Sequence, residues 1–132
     1  TAIQETQTVT LVIPGDPPSL NQALSGKLRH RLRVKRDWQN WTYAAWLEAG
    51  RPTFHRPEVS IRCYFATRRK RDAENYGMKS LIDSLTRAGA WKDDNADVYL
   101  QHRAELLIDK HNPRVEITIT ERGEKAANGR GL

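Results

Sequence analysis

Two stretches of this chain carry side chains that could do chemistry together. The first is Arg68-Arg69-Lys70-Arg71-Asp72-Ala73-Glu74-Asn75, in which four consecutive cations lead into two carboxylates one residue apart. The second is Gly89-Ala90-Trp91-Lys92-Asp93-Asp94, a glycine stop followed by a second carboxylate pair. Hard oxygen ligands beside concentrated positive charge suit Mg²⁺, with Mn²⁺ as a substitute, and a polyanionic substrate. Hydrolysing a phosphodiester requires a nucleophile made from water, neutralisation of charge in the transition state and a stabilised leaving oxygen. Carboxylate-held Mg²⁺ can supply all three. Asp72, Glu74 and Asp94 are ligands enough, because Mg²⁺ retains waters and takes phosphate oxygens from its substrate. Lys79 is placed to orient a water or to offset developing negative charge. The residues therefore point to a metal-dependent enzyme acting on nucleic-acid phosphates.

Other chemistries fit less well. The four histidines (His30, His55, His102 and His111) are scattered and show no zinc-ligand spacing. No glycine-rich phosphate loop is present, and no GxSxG elbow supports a serine nucleophile. The single cysteine, Cys63, sits in an alternating strand-like run and reads as a buried thiol rather than a nucleophile.

The positive charge is organised. Across 132 residues, 22 Lys and Arg against 16 Asp and Glu give a net charge of +6, which favours a polyanionic partner. Its cations cluster at 27–36 and 68–71 and its acids at 72–74 and 93–97. In the first cluster Lys27, Arg29, Arg31, Arg33 and Lys35 alternate with Leu28, His30, Leu32 and Val34. If extended, that segment is an arm with cations on one face, suited to gripping a DNA backbone. A solvated loop is the simpler alternative. Apolar runs are only a few residues long, so the sequence shows neither a membrane span nor a signal peptide, and a cytoplasmic location is expected.

These groups must be positioned by a single small domain, expected over residues 1–122, with 123–132 as a flexible tail. Val9, Leu11 and Ile13 alternate with polar neighbours and predict a first strand, ended by Pro14-Gly15-Asp16-Pro17-Pro18. A helix is expected over 35–49, with Trp38, Trp41, Ala45 and Trp46 at helical spacing and Gly50 closing it. Val59, Ile61, Cys63 and Phe65 predict a second strand that delivers the chain to residues 68–72. A second helix is expected over 75–88, with Met78, Leu81, Ile82 and Leu85 inward. Val98 to Ile108 reads as a third strand, His111-Asn112-Pro113 as a turn, and Val115, Ile117 and Ile119 as a fourth strand completing a hairpin. The order β-α-β-α-β-β implies an α+β fold, a mixed sheet with helices packed on it. Three carboxylates can then meet at one sheet edge.

The run Asp72-Ala73-Glu74-Asn75, Lys79, Asp83-Ser84-Leu85, Ala88-Gly89, Trp91-Lys92-Asp93-Asp94 resembles the RusA-type Holliday junction resolvases. Their pattern is approximately D-x-D-N-x-x-K, then D-A-L, A-G and a D-D pair, and Pro17-Pro18-Ser19-Leu20-Asn21 resembles their P-P-S-x-N. The resemblance implies a homodimeric, Mg²⁺-dependent endonuclease that resolves four-way DNA junctions by paired cuts. On this sequence it implies Asp72, Glu74 and Asp94 as metal-holding acids, Lys79 as the catalytic lysine, and Asp93 as their neighbour. The basic residues Lys27, Arg29, Arg31, Arg33, Lys35, Arg68, Arg69, Lys70 and Arg71 would then grip phosphates. A homodimer fits a junction of approximate two-fold symmetry. Glu74 stands where the pattern has Asp, and Asn75 and Lys79 lie one residue further apart, an insertion that a later helix start or a bulged first turn could accommodate. The alternatives from other classes are a non-catalytic basic DNA-binding module and a metal nuclease of different DNA-structure specificity.

Overall fold

In the computed structural model, which describes residues 7–19, 28–92 and 99–123, the chain builds one mixed sheet with two helices on one face. Strand β1 spans Thr8–Pro14, helix α1 Leu28–Glu48, β2 Pro57–Phe65, a 3₁₀ turn Ala73–Tyr76, α2 Lys79–Ala88, β3 Leu100–Gln101, β4 Glu105–Ile108 and β5 Arg114–Glu121. The sheet order is β1-β5-β2-β3, with β4 also paired to β2. β2 is thus central. It runs antiparallel to β5 on one side and parallel to β3 and β4 on the other.

Period-two patterning fixes the register. Leu11 and Ile13 of β1, Val59, Ile61, Cys63 and Phe65 of β2, and Val115, Ile117 and Ile119 of β5 all face the helices and are buried. The opposite face carries Thr8, Thr10 and Val12 beside Glu116, Thr118 and Thr120, and Ser60, Arg62 and Tyr64 in β2. A one-residue slip would expose the whole apolar set. Leu81, Ile82 and Leu85 of α2 complete the core, each contributing about 1.5–3 kcal/mol by burial. Gly89 stops α2 in the left-handed conformation (φ 101°), its N–H bonding to the Leu85 and Thr86 carbonyls. Gly15 takes a backbone conformation that side chains rarely adopt (φ 132°), and a Cβ there would crowd the Trp38 ring at 3.1 Å.

Four expectations are corrected. The cationic segment is not an extended arm but the first turns of α1, which begins at Leu28 rather than near Lys35. Lys, Arg and Leu are good helix formers, and no breaker interrupts Leu28 to Glu48. Alternate residues on a helix lie about 200° apart, so Arg29 and Arg33 share one face while Arg31 and Lys35 share another; Lys27 lies outside the described residues. The second helix begins at Lys79, not Asn75, because the preceding residues form the separate 3₁₀ turn. The third strand is two short strands broken at His102-Arg103-Ala104, so His102 is not a strand residue; it pairs with Glu58 at 2.5 Å. Finally, β4 and β5 form no hairpin. β2 lies between them, and residues 109–113 cross its end, with the Asp109 N–H donating to the Phe65 carbonyl at 2.9 Å.

Candidate catalytic site

The site grows from the end of the central strand. Beyond Phe65 the chain leaves the sheet, and the Asp16 carboxylate accepts the Ala66 N–H at 3.3 Å, drawing the segment 15–19 beside it. Arg71 then folds back over its own loop. Its guanidinium donates to the Thr67 carbonyl (3.0 Å) and the Arg69 carbonyl (3.4 Å) and lies 3.8 Å from the Phe65 ring centroid. This cation organises the loop from within, whereas Arg68, Arg69 and Lys70 are exposed.

The loop delivers Asp72 to the start of the 3₁₀ turn. Asp72 is extended (φ −98°, ψ 122°), and its Oδ1 accepts the Glu74 N–H at 3.0 Å while its carbonyl accepts the Asn75 N–H at 2.9 Å. A short acid before a helical turn is a favourable cap, and this cap ties the Glu74 backbone to Asp72 while both side chains are exposed. Tyr76 anchors the far side of the turn, edge-on to Phe65 at 5.0 Å, and its carbonyl faces the Cys63 thiol at 3.8 Å. Burial pushes the Cys63 thiol up to about 12, so it is a neutral packing group, as its place in the strand pattern implied.

Between this turn and α2 the backbone takes an unusual step. Met78 is fully buried yet left-handed, at φ 55° and ψ 34°, a conformation that costs a residue with a side chain about 1–2 kcal/mol. Its burial against the core holds it there. The step separates the 3₁₀ turn from α2, which starts at Lys79, a later helix start and not a bulged first turn. The Lys79 ammonium lies 3.1 Å from Asp83 one turn on.

The second acidic pair, Asp93 and Asp94, lies outside the described residues, but its flanks do not. Trp91 and Tyr99 stack with ring centroids 5.8 Å apart, and Phe54 meets Trp91 edge-on. The Tyr99 hydroxyl bonds the Gln101 side-chain oxygen, and the Gln101 amide donates to the Gly77 carbonyl at 2.7 Å. The residues that flank segment 93–98 are therefore connected to the link between Glu74 and Lys79.

Asp72 lines an open cleft of about 380 Å³ with Lys70, Arg71, Ala73 and Arg103. A neighbouring cleft of about 320 Å³ places Arg68 and Arg69 beside Leu106, Leu107 and Ile108 of β4. Asp72 and Glu74 are linked through the cap, and Lys79 follows five residues after Glu74 at the start of α2. No group of three or more His, Cys, Asp or Glu side chains that could hold a metal occurs among the described residues. On α1, Arg29, Arg33 and Lys35 are exposed and Arg31 is half-buried. Sequence reasoning missed Arg103, Asp16 and Gln101. Each acts across the fold, and only the aromatic bracket Trp91…Tyr99 around the acidic loop offered a local signal.

Asp72 thus stands in a cationic cleft beyond the end of the central strand, with Glu74 two residues further on. Residues 13–120, most of the chain, match the model of the family described as endodeoxyribonuclease RusA, and the chain belongs to that family. Among curated relatives, the crossover junction endodeoxyribonucleases RusA of Escherichia coli (strain K12) and Shigella sonnei (strain Ss046) are each 38% identical over 68 residues, 52% of this chain and 54% of theirs. The RusA of Enterobacteria phage 82 is also 38% identical over 68 residues, with the same coverage. The chain spans about half the length of the curated relatives it matches.

Proposed function

We propose that this protein is a metal-dependent, structure-selective endodeoxyribonuclease that resolves four-way DNA junctions by paired phosphodiester hydrolysis, acting as a homodimer. The observation that carries the reading is the placement of Asp72, whose carboxylate caps the turn that carries Glu74, in a cleft edged by Lys70, Arg71 and Arg103. The names of the relatives supply the junction as substrate, since each is a crossover junction endodeoxyribonuclease.

The described acids fit a hard divalent cation. Both are exposed carboxylates, which offer oxygen ligands, and the cleft that Asp72 lines holds no His or Cys. Asp72, Glu74 and Asp94 would hold Mg²⁺, or Mn²⁺ in its place. The bound ion would supply charge neutralisation and a more acidic water. The remaining work falls to the chain's own groups. Arg68, Arg69, Lys70 and Arg103 bind phosphates on either side of the scissile bond, without reading sequence. Arg71 keeps the loop shaped around Phe65. Lys79, at the first turn of α2, orients the attacking water or offsets charge on the phosphate. The cations of α1, Arg29, Arg31, Arg33 and Lys35, extend the basic surface, and two copies would provide the two sites that symmetrical cuts need. Among the described residues no helix is long and apolar enough to cross a membrane.

The test incubates the protein with a synthetic four-way junction and a matched linear duplex, with and without Mg²⁺. Metal-dependent nicking of the junction alone is expected. Asp94→Asn should abolish nicking while preserving junction binding, because it removes a ligand and a negative charge together. Junction binding without nicking would leave a basic DNA-binding module, and equal cutting of plain duplex would leave a nuclease of other specificity.

A further inference from the structure

Helix α1 reaches further than its packing requires. β1 and β2 run in the same direction, since both are antiparallel to β5, and each is followed by a helix. Both helices therefore start beyond the carboxyl ends of these strands, the end at which Asp72, Glu74 and Lys79 stand. They run side by side: Gln39 donates to the Ser80 carbonyl at 3.1 Å, and a turn later Tyr43 shares a cleft with Ser84, Arg87 and Ala88. On the sheet side the Trp38 ring lies against Gly15, just past the end of β1. Trp38 and Gln39 fall midway along α1, so the turns before them project beyond the start of α2. Counted from Gln39 to Leu28 at helical rise, the overhang is about 16 Å long.

The overhang has a composition of its own. Arg29, His30, Arg33, Lys35 and Arg36 are exposed, and no acid precedes Asp37 in the helix. Among these cations Leu28 and Leu32 are 60% and 54% exposed. By helical geometry Leu28, Leu32, Lys35 and Gln39 fall within about 60° of one another, and the Gln39 bond marks their stripe as the one turned toward α2. Ahead of α2 that stripe carries two bare leucines. A single exposed leucine is ordinary. Two on successive turns of one stripe, inside an unbroken cationic run at the catalytic end, call for an apolar surface embedded in a polyanion. Nucleic acid is such a partner, with phosphates outside and base faces within. Stacking hides those faces along a duplex and leaves them open where strands branch.

From this placement we infer that Leu28 and Leu32 form a wedge that inserts against unstacked bases at the centre of a branched DNA, while Arg29, Arg33, Lys35 and Arg36 hold the flanking phosphates. Apolar side chains set between base steps unstack them and kink the duplex, at a cost in energy. The cost is least where stacking is already broken, so a wedge favours a branch point over a continuous duplex. It supplies the discrimination that phosphate-binding cations lack. The inference rests on the junction reading above and names side chains that select the junction.

The test places aminopurine, an adenine analogue that brightens when it leaves the stack, at the branch point of a four-way junction bound by the full chain without Mg²⁺. The wild type should raise the emission several-fold and leave the same base in a matched duplex dark. Leu28→Gln with Leu32→Gln keeps length, helix propensity and every charge. It should abolish the rise and weaken junction binding several-fold, with far less effect on duplex binding and unchanged circular dichroism. Leu28→Met with Leu32→Met keeps the apolar reach and should retain the rise. An undiminished rise with the glutamine pair, or an equal loss of junction and duplex binding, overturns the inference. So does capture of the wild type by phosphatidylglycerol vesicles, lost in the glutamine pair, with no change in emission on the junction. Metal-dependent nicking by the wild type is scored separately. Nicking without a rise refutes the wedge alone, a rise without nicking refutes the nuclease reading alone, and a chain that binds no junction refutes both.

Discussion

Gln101 is the residue on which the coupling of the two acidic loops can be tested most directly. Its amide donates to the Gly77 carbonyl at 2.7 Å, and its oxygen accepts from Tyr99, which stacks on Trp91. Gln101→Ala removes two neutral hydrogen bonds, a loss of about 1–3 kcal/mol in stability. That is a drop of several degrees in melting temperature for a domain of this size. The functional effect has a different origin. The bond fixes the link between Glu74 and Lys79 to the residues that flank Asp93 and Asp94, so its loss loosens the carboxylates relative to one another. Supporting residues of this kind typically contribute about 10–100-fold to metal affinity or activity. Single-turnover nicking of a four-way junction, titrated with Mg²⁺, should show the metal midpoint rising by that factor while the rate at saturating metal largely recovers. Gln101→Glu preserves the bulk and the acceptor for Tyr99 but sets a carboxylate against the Gly77 carbonyl, and it should raise the midpoint at least as far. Variants that melt several degrees lower yet keep the wild-type metal midpoint would refute the coupling.

Replacing Arg68, Arg69 and Lys70 together by Ala should lower the salt slope of junction binding by about 3, roughly 0.9 for each phosphate that is no longer neutralised; an unchanged slope would remove the loop from the DNA interface. Arg71→Lys keeps the charge but loses the bonds to the Thr67 and Arg69 carbonyls, and it should impair nicking far more than binding, because a lysine cannot reproduce the planar fork. Equal activity of Arg71→Lys and wild type would show that only charge is needed there. Glu121 is nearly buried and accepts N–H bonds from His55, Arg56 and Gly123 at 2.7–2.9 Å. Burial raises its pKa, but the three N–H donors and His55 outweigh it, and the carboxyl is held below its ordinary range. A lowered folded value means stability that is present above the unfolded carboxylate pKa and lost as pH falls through the folded one. Glu121→Gln should therefore cost on the order of 2 kcal/mol in urea unfolding at pH 7, and the gap to wild type should close toward pH 3. A gap independent of pH would contradict the assignment.

How far the sequence could be read depended on the range of the interactions involved. β1, β2 and β5 were legible because alternation of Leu11 and Ile13, of Val59 to Phe65, and of Val115 to Ile119 is a local record of one buried face. The acids at 72 and 74 were legible for a similar reason, since a cap and its turn are built from neighbours. The cation-rich segment misled because its alternation imitates an extended strand. Its helical character shows only from Trp38 onward, where Trp38, Thr42 and Trp46 are buried at intervals of four; before that, Leu28 and Leu32 remain exposed and leave no core-facing record. The false hairpin has another cause. A five-residue link between two apolar runs looks the same whether the strands pair with each other or straddle a third, and nothing local in β4 announces β2 as its partner. Arg71 was hidden inside a run of four identical-looking cations, where only the nearness of Phe65 singles one out.

The straddling link also explains why the site lies where it does. Because β4 and β5 flank β2, residues 109–113 must pass over the carboxyl end of β2. They are pinned there by the Asp109–Phe65 backbone bond and by Arg114, which reaches Asp109 and Glu116 at 2.8 Å each and lies 3.7 Å from the Tyr64 ring centroid. The path across the strand end is thereby occupied. The chain leaving Phe65 has to turn aside toward the helices, and it does so through the loop that Arg71 shapes and Asp72 caps. In sheets with parallel strands, functional crevices open beyond the carboxyl ends where successive connections diverge. Here the divergence lies between the link to β5 and the crossover through α2, and the cations of 68–70 line the gap it leaves. The position of the candidate site is therefore a consequence of strand order, and Asp72 acquires its role from the end of the strand it follows as much as from its own side chain.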